Sequence, residues 1–260
     1  MANAKGSSIS SRRAARESAS SRPAPTHAVA PAKPPAPPTG LRIPILVYHH
    51  VRATGAYPKT TWSWKMSVSP EIFEKQMQWI AEHGYTTIDL DTYAAIVKGE
   101  IYGPQKPIVI TFDDNQRSQF DLALPVLEKL GQKAVFYLIT DRIGSSGTLT
   151  SDEIRLMSDK GMDMESHTIT HRVLTALPQS EIDKEFIESK KTLEAILGKP
   201  VRHVAYPGTS HNMLVRERAA AAGYVTATIM DPRTATETDD FFKLPRIMMT
   251  DDTNLGRVLP

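Results

Sequence analysis

The segment Pro107-Ile108-Val109-Ile110-Thr111-Phe112-Asp113-Asp114-Asn115 decides the fold. Its apolar run has the length and composition of a strand buried in a parallel sheet. The run ends directly in two adjacent carboxylates. In parallel α/β architectures, reactive side chains gather at the C-terminal ends of the strands. The segment therefore predicts a buried strand that carries Asp113 and Asp114 to such an end.

Six further apolar segments of strand length occur along the chain, and helical patterns separate most of them. The seven predicted strands are Ile43–Tyr48, Pro107–Phe112, Ala134–Ile139, Met162–Ser166, Arg202–Tyr206, Tyr224–Ile229 and Leu244–Met248. Repeated alternation of strand and helix is typical of a parallel sheet, and about seven strands indicate a closed or nearly closed barrel. The predicted class is therefore α/β.

Three of the intervening helices have recognisable ends. The predicted boundaries are Ser69 as the cap before Pro70 with Gly84 past the end, a capping box of Thr150 and Glu153, and a second box of Ser180 and Asp183 on a helix that ends at Gly198.

The composition excludes several functional classes. The 260 residues include no cysteine, which excludes disulfides, cysteine-ligated zinc, iron–sulfur clusters and thiol catalysis. The formal net charge is +2, but residues 1–40 carry six cations and one anion, so residues 41–260 have a net charge of −3. We expect a disordered Pro/Ala/Ser-rich tail over 1–40 and one catalytic domain over 41–260, with no nucleic-acid partner and no transmembrane segment.

Two other strand ends carry unusual residues: His167-Thr168-Ile169-Thr170-His171 and Tyr206-Pro207-Gly208. The spacing of the two histidines predicts that both imidazoles lie on one face of a helical turn, where they can bind one metal ion. One aspartate of the pair can add a third ligand, and the other can act as a general base. Each part also has an ordinary structural interpretation, because adjacent aspartates often cap turns and histidine pairs often lie on helix surfaces.

These segments resemble the motifs of the polysaccharide deacetylases, the carbohydrate esterase family with a NodB-like chitooligosaccharide deacetylase domain. The motifs that carry the resemblance are Thr111-Phe112-Asp113-Asp114, His167-x-x-x-His171, Tyr206-Pro207, Tyr48-His49-His50-Val51 and Leu244-Pro245-Arg246-Ile247. The segments at Tyr48–Val51 and Leu244–Ile247 are similar to those of the poly-N-acetylglucosamine deacetylase branch. The resemblance implies a distorted (β/α)7-type barrel and a zinc-type metal, with Co²⁺ or Ni²⁺ as alternatives.

By position, the resemblance implies Asp113 as the catalytic base and a metal triad of Asp114, His167 and His171. It also implies that the backbone after Pro207, at Gly208, helps to bind the oxyanion, next to Tyr206.

The chain departs from the family pattern at three places. Asn115 replaces the usual glycine after the aspartate pair, and it tolerates positive φ better than other residues that have a Cβ. The arginine of the third motif is missing, since Ala205 occupies its position. Arg246 is the predicted replacement, with a salt bridge to any nearby acid as its ordinary interpretation. No histidine follows His211 to supply a general acid, so His49 is the predicted substitute, with His203 and His211 as weaker options. The ordinary interpretation of each is a buried structural histidine.

The predicted function is metal-dependent hydrolysis of N-acetyl groups on a GlcNAc-containing polysaccharide (chitin-like, poly-N-acetylglucosamine or peptidoglycan), which yields a free amine and acetate. The alternatives are an O-acetyl xylan esterase and a catalytically weak carbohydrate-binding pseudoenzyme. We expect a monomer that acts outside the cytoplasm, although the sequence shows no signal peptide.

Overall fold

A computed structural model describes residues 39–259 of the chain. The predicted disordered tail lies outside the described residues, apart from Thr39 and Gly40, which form a turn. The strands are β1 (Arg42–Ile43), β2 (Ile45–Tyr48), β3 (His50–Val51), β4 (Ser67–Val68), β5 (Thr86–Thr87), β6 (Pro107–Phe112), β7 (Val135–Leu138), β8 (Asp163–Ser166), β9 (His203–Ala205), β10 (Thr226–Met230), β11 (Ala235–Thr236) and β12 (Leu244–Met248).

Seven of these strands close into a parallel ring in the order β2, β12, β10, β9, β8, β7, β6 and back to β2. Closure occurs between β2 and β6, where Val47 lies opposite Thr111 and Tyr48 lies opposite Phe112. The ring strands fall within one or two residues of the seven predicted segments, so the predicted barrel is confirmed. Short β5 pairs in parallel with the first two residues of β6.

The helices are α1 (Trp62–Lys65), α2 (Pro70–Glu82), α3 (Leu90–Val97), α4 (Leu124–Lys129), α5 (Ser151–Asp159), α6 (Gln179–Leu197), α7 (Met213–Ala221) and α8 (Leu255–Val258). A π-helical turn, Gln119–Ala123, precedes α4, and the Pro125 ring lies at the second position of α4. None of the helices within residues 39–259 is long and apolar enough to cross a bilayer.

The predicted helix ends are partly right. The Thr150–Glu153 capping box is present, and Gly198 ends α6 in the left-handed conformation with φ 67°. The predicted boundaries of α2 are confirmed, with Ser69 at the cap position, Pro70 first and Gly84 past the end. The Ser69 side chain makes no capping hydrogen bond, and its backbone N–H donates to Asp251 Oδ1 at 2.6 Å.

The predicted capping box at Ser180 and Asp183 is also wrong. Helix α6 starts two residues earlier, because the Pro178 carbonyl already accepts hydrogen bonds from the backbone N–H groups of Glu181 and Ile182. Asp183 forms an ion pair with Arg218 instead of capping the helix.

Alternate residues of each barrel strand belong to two different cores. Outward-facing side chains such as Ile110 and Phe112 pack with the surrounding helices. Inward-facing side chains such as Val109 and Tyr137 form a second core with Leu90 and Tyr93 of α3. Helix α3 therefore covers the N-terminal end of the barrel, and the inward positions at the C-terminal end of β6 are the polar Thr111 and, just past it, Asp113.

Candidate active site

Asp113 and Arg246 form a buried ion pair at the C-terminal end of the barrel. Both guanidinium Nη atoms donate to the carboxylate at 2.7 Å, Nη1 to Oδ1 and Nη2 to Oδ2. Nη1 also donates to the Thr111 hydroxyl at 3.0 Å, and the guanidinium lies over the Tyr137 ring, 5.2 Å from its centre. The pair joins the ends of β6 and β12, which are on opposite sides of β2 in the ring.

The environment of Asp113 keeps it ionised. Burial by itself would raise the pKa of its carboxyl, but the Arg246 guanidinium and the neighbouring His167 outweigh burial and hold that pKa well below its usual range. Asp113 is therefore held as a carboxylate near neutral pH.

Asp114, His167 and His171 converge beside this pair. Oδ1 of Asp114 lies 3.7 Å from His167 Nε2 and 3.5 Å from His171 Nε2. That oxygen is buried and accepts no hydrogen bond from any residue in the described part of the chain. His167 Nδ1 lies 2.8 Å from the Ala205 carbonyl, which fixes its tautomer and directs the Nε2 lone pair towards Asp114.

The electrostatics of His167 suit a metal ligand. Burial lowers the pKa of the His167 imidazole, although the nearby aspartates oppose that effect. A neutral imidazole keeps the Nε2 lone pair that a cation requires. Asp113 Oδ2 is also close, 3.9 Å from His167 Nε2, so the spare carboxylate lies at the edge of the triad.

A loop, not a helical turn, brings the two histidines together, so the predicted helical geometry is wrong. Thr168 and His171 have φ of 67° and 61°, in the left-handed region. These two reversals fold the five-residue segment on itself and place the imidazole rings 4.8 Å apart at 77°. The i,i+4 spacing therefore pairs the rings for a reason other than helical periodicity.

The backbone after Phe112 also has residues in the left-handed region. Asp114 and Asn115 have φ of 73° and 41°. The predicted tolerance of asparagine for positive φ is confirmed, and its side chain adds contacts that glycine lacks. Asn115 Oδ1 accepts a hydrogen bond from the Ile139 backbone N–H at 3.2 Å, which ties the end of β6 to the end of β7.

His49 follows β2 and is buried against Asp113, with Nε2 3.8 Å from Asp113 Oδ2. Burial lowers the pKa of the His49 imidazole, while Asp113 and Asp114 oppose the shift. The Gln119 side chain holds this corner, because its amide nitrogen donates to the carbonyls of His49, at 3.0 Å, and of Asp113, at 2.6 Å. The structure thus brings His49 to the same end of the barrel as the metal-ligand candidates.

Tyr206, Pro207 and Gly208 follow β9, next to the strand that precedes His167. The Tyr206 ring faces outward into the helical layer, 6.2 Å from the Phe186 ring, so this side chain points away from the interior of the barrel. Gly208 has φ 55°, which turns the chain there.

Two buried residues near the site were not predicted from the sequence. They are Gln119 and Glu185 of α6. Glu185 accepts hydrogen bonds from the backbone N–H groups of Ile169 and Thr170 at 2.8 and 3.0 Å and from the Thr170 hydroxyl. A charged residue at a position that shares the buried face of α6 with Ile182 was the available signal for Glu185. Gln119 had no comparable signal.

Comparisons with known proteins identify the family. The family model for polysaccharide deacetylase matches residues 101–227. A Bacillus anthracis protein assigned to the polysaccharide deacetylases is 30% identical, with a TM-score of 0.73, and the match covers 84% of this chain and 68% of that one. The chain belongs to the polysaccharide deacetylase family.

Two other relatives agree with this result. The Streptococcus pyogenes deacetylase PplD, solved in complex with acetate, has a TM-score of 0.79 and 27% identity over 85% of this chain and 100% of its own. A poly-β-1,6-N-acetyl-D-glucosamine N-deacetylase of Staphylococcus epidermidis is 27% identical over 72% of this chain and 69% of its own. The protein is therefore a polysaccharide deacetylase, a hydrolase on a (β/α)7-type barrel.

Proposed function

We propose that this protein is a metal-dependent hydrolase that removes N-acetyl groups from a GlcNAc-containing polysaccharide and releases acetate. The observation that carries the proposal is the convergence of Asp114, His167 and His171 beside an ionised Asp113 that Arg246 holds in place. Two imidazoles and a carboxylate are a common zinc ligand set in hydrolases that keep one coordination position open. Co²⁺ and Ni²⁺ are the alternative ions.

The residues fit such a cation by two independent features. The Asp114 Oδ1 atom is buried without a hydrogen-bond partner among the described residues, so a cation would satisfy it. The distances from this oxygen to the two imidazole nitrogens, 3.7 and 3.5 Å, agree with the ligand separation of about 3.4 Å expected around a tetrahedral ion. When bound, such an ion polarises the acetamide carbonyl and makes a bound water more acidic.

Asp113 is the proposed general base. Its carboxylate accepts a proton from the water that attacks the carbonyl carbon, and Arg246 keeps both oxygens oriented. The backbone after Pro207, at Gly208, is the proposed partner of the carbonyl oxygen as negative charge develops there. Tyr206 contributes through its backbone, since its ring packs in the helical layer.

His49 is the proposed general acid. The C–N bond of the acetamide breaks only if the departing amine is protonated, and a buried imidazole near Asp113 can donate that proton. The balance is one amide and one water converted to one amine and one acetic acid. Asp113 Oδ2 and His49 Nε2 lie 3.8 Å apart. The proton that Asp113 accepts from the water can therefore pass to His49, which then donates it to the departing amine.

The proposed substrate is a β-linked N-acetylglucosamine polymer, with poly-β-1,6-N-acetylglucosamine as the first candidate. The support is the named activity of the Staphylococcus epidermidis relative. Chitin-like chains and peptidoglycan glycan are the other candidates. Because such polymers lie outside the cytoplasm, we propose that the protein acts there. We also propose that it acts as a monomer.

Acetate release tests the proposal. Protein that has been stripped of metal and reloaded with Zn²⁺ or Co²⁺ should release acetate from β-1,6-GlcNAc oligomers, from chitin oligomers, or from both. Acetylxylan in a parallel assay separates N-deacetylation from O-deacetylation. Glycan binding without acetate release from any of these substrates, at full metal content, would instead support the carbohydrate-binding pseudoenzyme.

A further inference from the structure

A second group of metal-binding side chains lies inside the barrel, near its N-terminal end. Asp163 and Glu165 are alternate residues of β8 and face the same side, and His203 opens the neighbouring β9. Each offers one ligand atom, and these atoms all lie within 4.8 Å of one another. The group is separate from the candidate active site, which follows the opposite ends of the same strands.

His203 is oriented as metal-binding histidines are. Its side chain is buried, and Nδ1 lies 2.9 Å from the Thr226 hydroxyl, which fixes the ring. Nε2 is buried and makes no hydrogen bond with any of the residues that the structure describes. It lies 3.4 Å from Oδ1 of Asp91, on α3. In metal sites, the ring nitrogen that does not bind the ion is commonly hydrogen-bonded to an outer partner, as Nδ1 of His203 is to Thr226.

The Glu165 carboxylate is also held in place. Its Oε2 accepts hydrogen bonds from the backbone N–H groups of Arg202, at 2.8 Å, and of His203, at 2.6 Å. The other oxygen is left for a different partner. The carboxylate is thus oriented by the strand that carries the histidine, so the two ligands keep one relative position.

The pocket gathers three acidic side chains around one imidazole. Three carboxylates, Asp91, Asp163 and Glu165, lie around one imidazole, and Arg202 is directed at Asp91, 2.9 Å away. A divalent cation would compensate this charge.

We propose that Asp163, Glu165 and His203 bind a second divalent cation of the zinc type, with Asp91 as the fourth ligand on the solvent side. Oxygen and imidazole donors suit a first-row transition ion, and the ligand atoms of Asp163, Glu165 and His203 already lie within 4.8 Å of one another. Asp91 is half-exposed and Asp163 partly exposed, so an ion can enter from solvent.

Such an ion would join α3 to β8 and β9 and so fasten the helix that covers the barrel end. Its role is to stabilise the fold, and it does not depend on the proposed deacetylase chemistry. Binding to the folded state alone raises the melting temperature with ion concentration. This gives the site a readout that does not involve activity.

Zinc stoichiometry by mass spectrometry, after metal removal and reloading, is the first test. The expected content is two ions per chain in the unmodified protein and one in Asp163→Asn and in His203→Gln. The matched control is Asp159→Asn, an exposed carboxylate at the end of α5, which should keep both ions. His171→Ala should also keep one ion, the one proposed here.

The melting temperature is the second test, in the His171→Ala background. Zinc should raise it, and the rise should disappear when Asp163→Asn or His203→Gln is added. One ion per chain that Asp163→Asn keeps and His171→Ala loses would overturn this inference and leave the active-site proposal intact. The reverse pattern would support this site and count against the metal in the active site. A chain that binds no zinc would refute both.

Discussion

The two ends of this barrel carry the same kinds of side chain, carboxylates and imidazoles, in different settings. At the C-terminal end, five residues other than glycine have φ between 41° and 73°: Asp114, Asn115, Thr168, His171 and Thr209. At the N-terminal end, Asp163, Glu165 and His203 occupy regular strands, and Asp91 occupies a helix.

This difference shows how each group is assembled. Strand register alone brings Glu165 and His203 together, because adjacent parallel strands place their side chains in rows. Near the active site, loops must reverse direction to point several side chains at one place, and each left-handed residue costs about 1 to 2 kcal/mol. Strain of this kind is concentrated where chemistry requires convergence.

The largest expected effect at the C-terminal end is on turnover. Asp113→Asn should lower acetate release by about 10³- to 10⁴-fold, because the amide cannot accept the proton of the attacking water. Metal content should stay the same, as measured by mass spectrometry. Asp121→Asn, an exposed carboxylate of the π-helical turn, is the matched control. Full activity in Asp113→Asn would show that Asp113 is not the general base.

Removing Arg246 should have the largest effect on stability. Arg246→Gln leaves Asp113 buried without its partner, which should cost about 3 to 5 kcal/mol in the free energy of unfolding near neutral pH. Lys59→Met, which breaks the exposed pair with Asp252, should cost under about 1 kcal/mol in the same urea titration.

The same variant predicts a pH dependence with a definite sign. The pKa of Asp113 is depressed in the folded state, so its contribution to stability is present above the unfolded pKa of about 3.9 and is lost as pH falls towards the folded value. The stability difference between the two proteins should therefore shrink at acidic pH. Without Arg246, burial raises the pKa of Asp113, and the acidic limb of the activity profile should move to higher pH. An unchanged acidic limb would contradict the proposed pairing.

His49→Gln should slow N-deacetylation by about 10²-fold if the imidazole protonates the amine. The loss should be much smaller on an activated acetate ester, whose leaving group needs no proton. The ratio of the two losses is the measurement. Equal losses on amide and ester would indicate that His49 only supports the packing around Asp113.

Glu185→Ala should weaken zinc binding at the active site by about 10- to 100-fold, because Glu185 orients the loop between His167 and His171. Glu185→Gln keeps an acceptor for the loop N–H groups and should restore most of the affinity. Glu188→Ala, on the same helix and half-exposed, is the control for helix stability. Zinc titration of all three variants would show no difference if the loop holds its shape without Glu185.

The smallest expected effect concerns Asn115. Asn115→Ala and Asn115→Gly both lose the hydrogen bond that the Ile139 backbone N–H donates to Asn115 Oδ1, worth about 1 kcal/mol. Alanine at φ 41° should lose about 1 kcal/mol more than glycine, because only glycine adopts that φ freely. Urea unfolding of the two variants should rank glycine above alanine, and the opposite rank would show that the loop changes conformation.

Much of the fold follows from local patterns. All seven ring strands were predicted, because parallel strands buried on both faces are nearly continuous apolar runs. The Thr150–Glu153 box was predictable because its two partners are three residues apart. Ser69 occupies the predicted cap position, but its side chain makes no capping bond, because a distant acceptor, Asp251, fixes its backbone N–H. The Ser180 cap was wrong, since the carbonyl of Pro178 begins the helix earlier.

The candidate site was predictable in membership and less so in geometry. Motif spacing grouped Asp113, Asp114, His167 and His171, although the loop conformation that joins the two histidines was not foreseen. The burial of Glu185 could be suspected from its place on the apolar face of α6, but its partners in the loop after His167 could not, and no pattern indicated the contacts of Gln119.

Periodic burial and the order of strand ends can be inferred from the amino-acid order, because they depend on neighbours along the chain. The pairing of Arg246 with Asp113, 133 residues apart, exists only once the ring has closed through β2. The meeting of Asp163, Glu165 and His203 at the other end depends instead on the pairing of β8 with β9. These contacts depend on which strands become neighbours, and barrel closure is a property of the whole sheet.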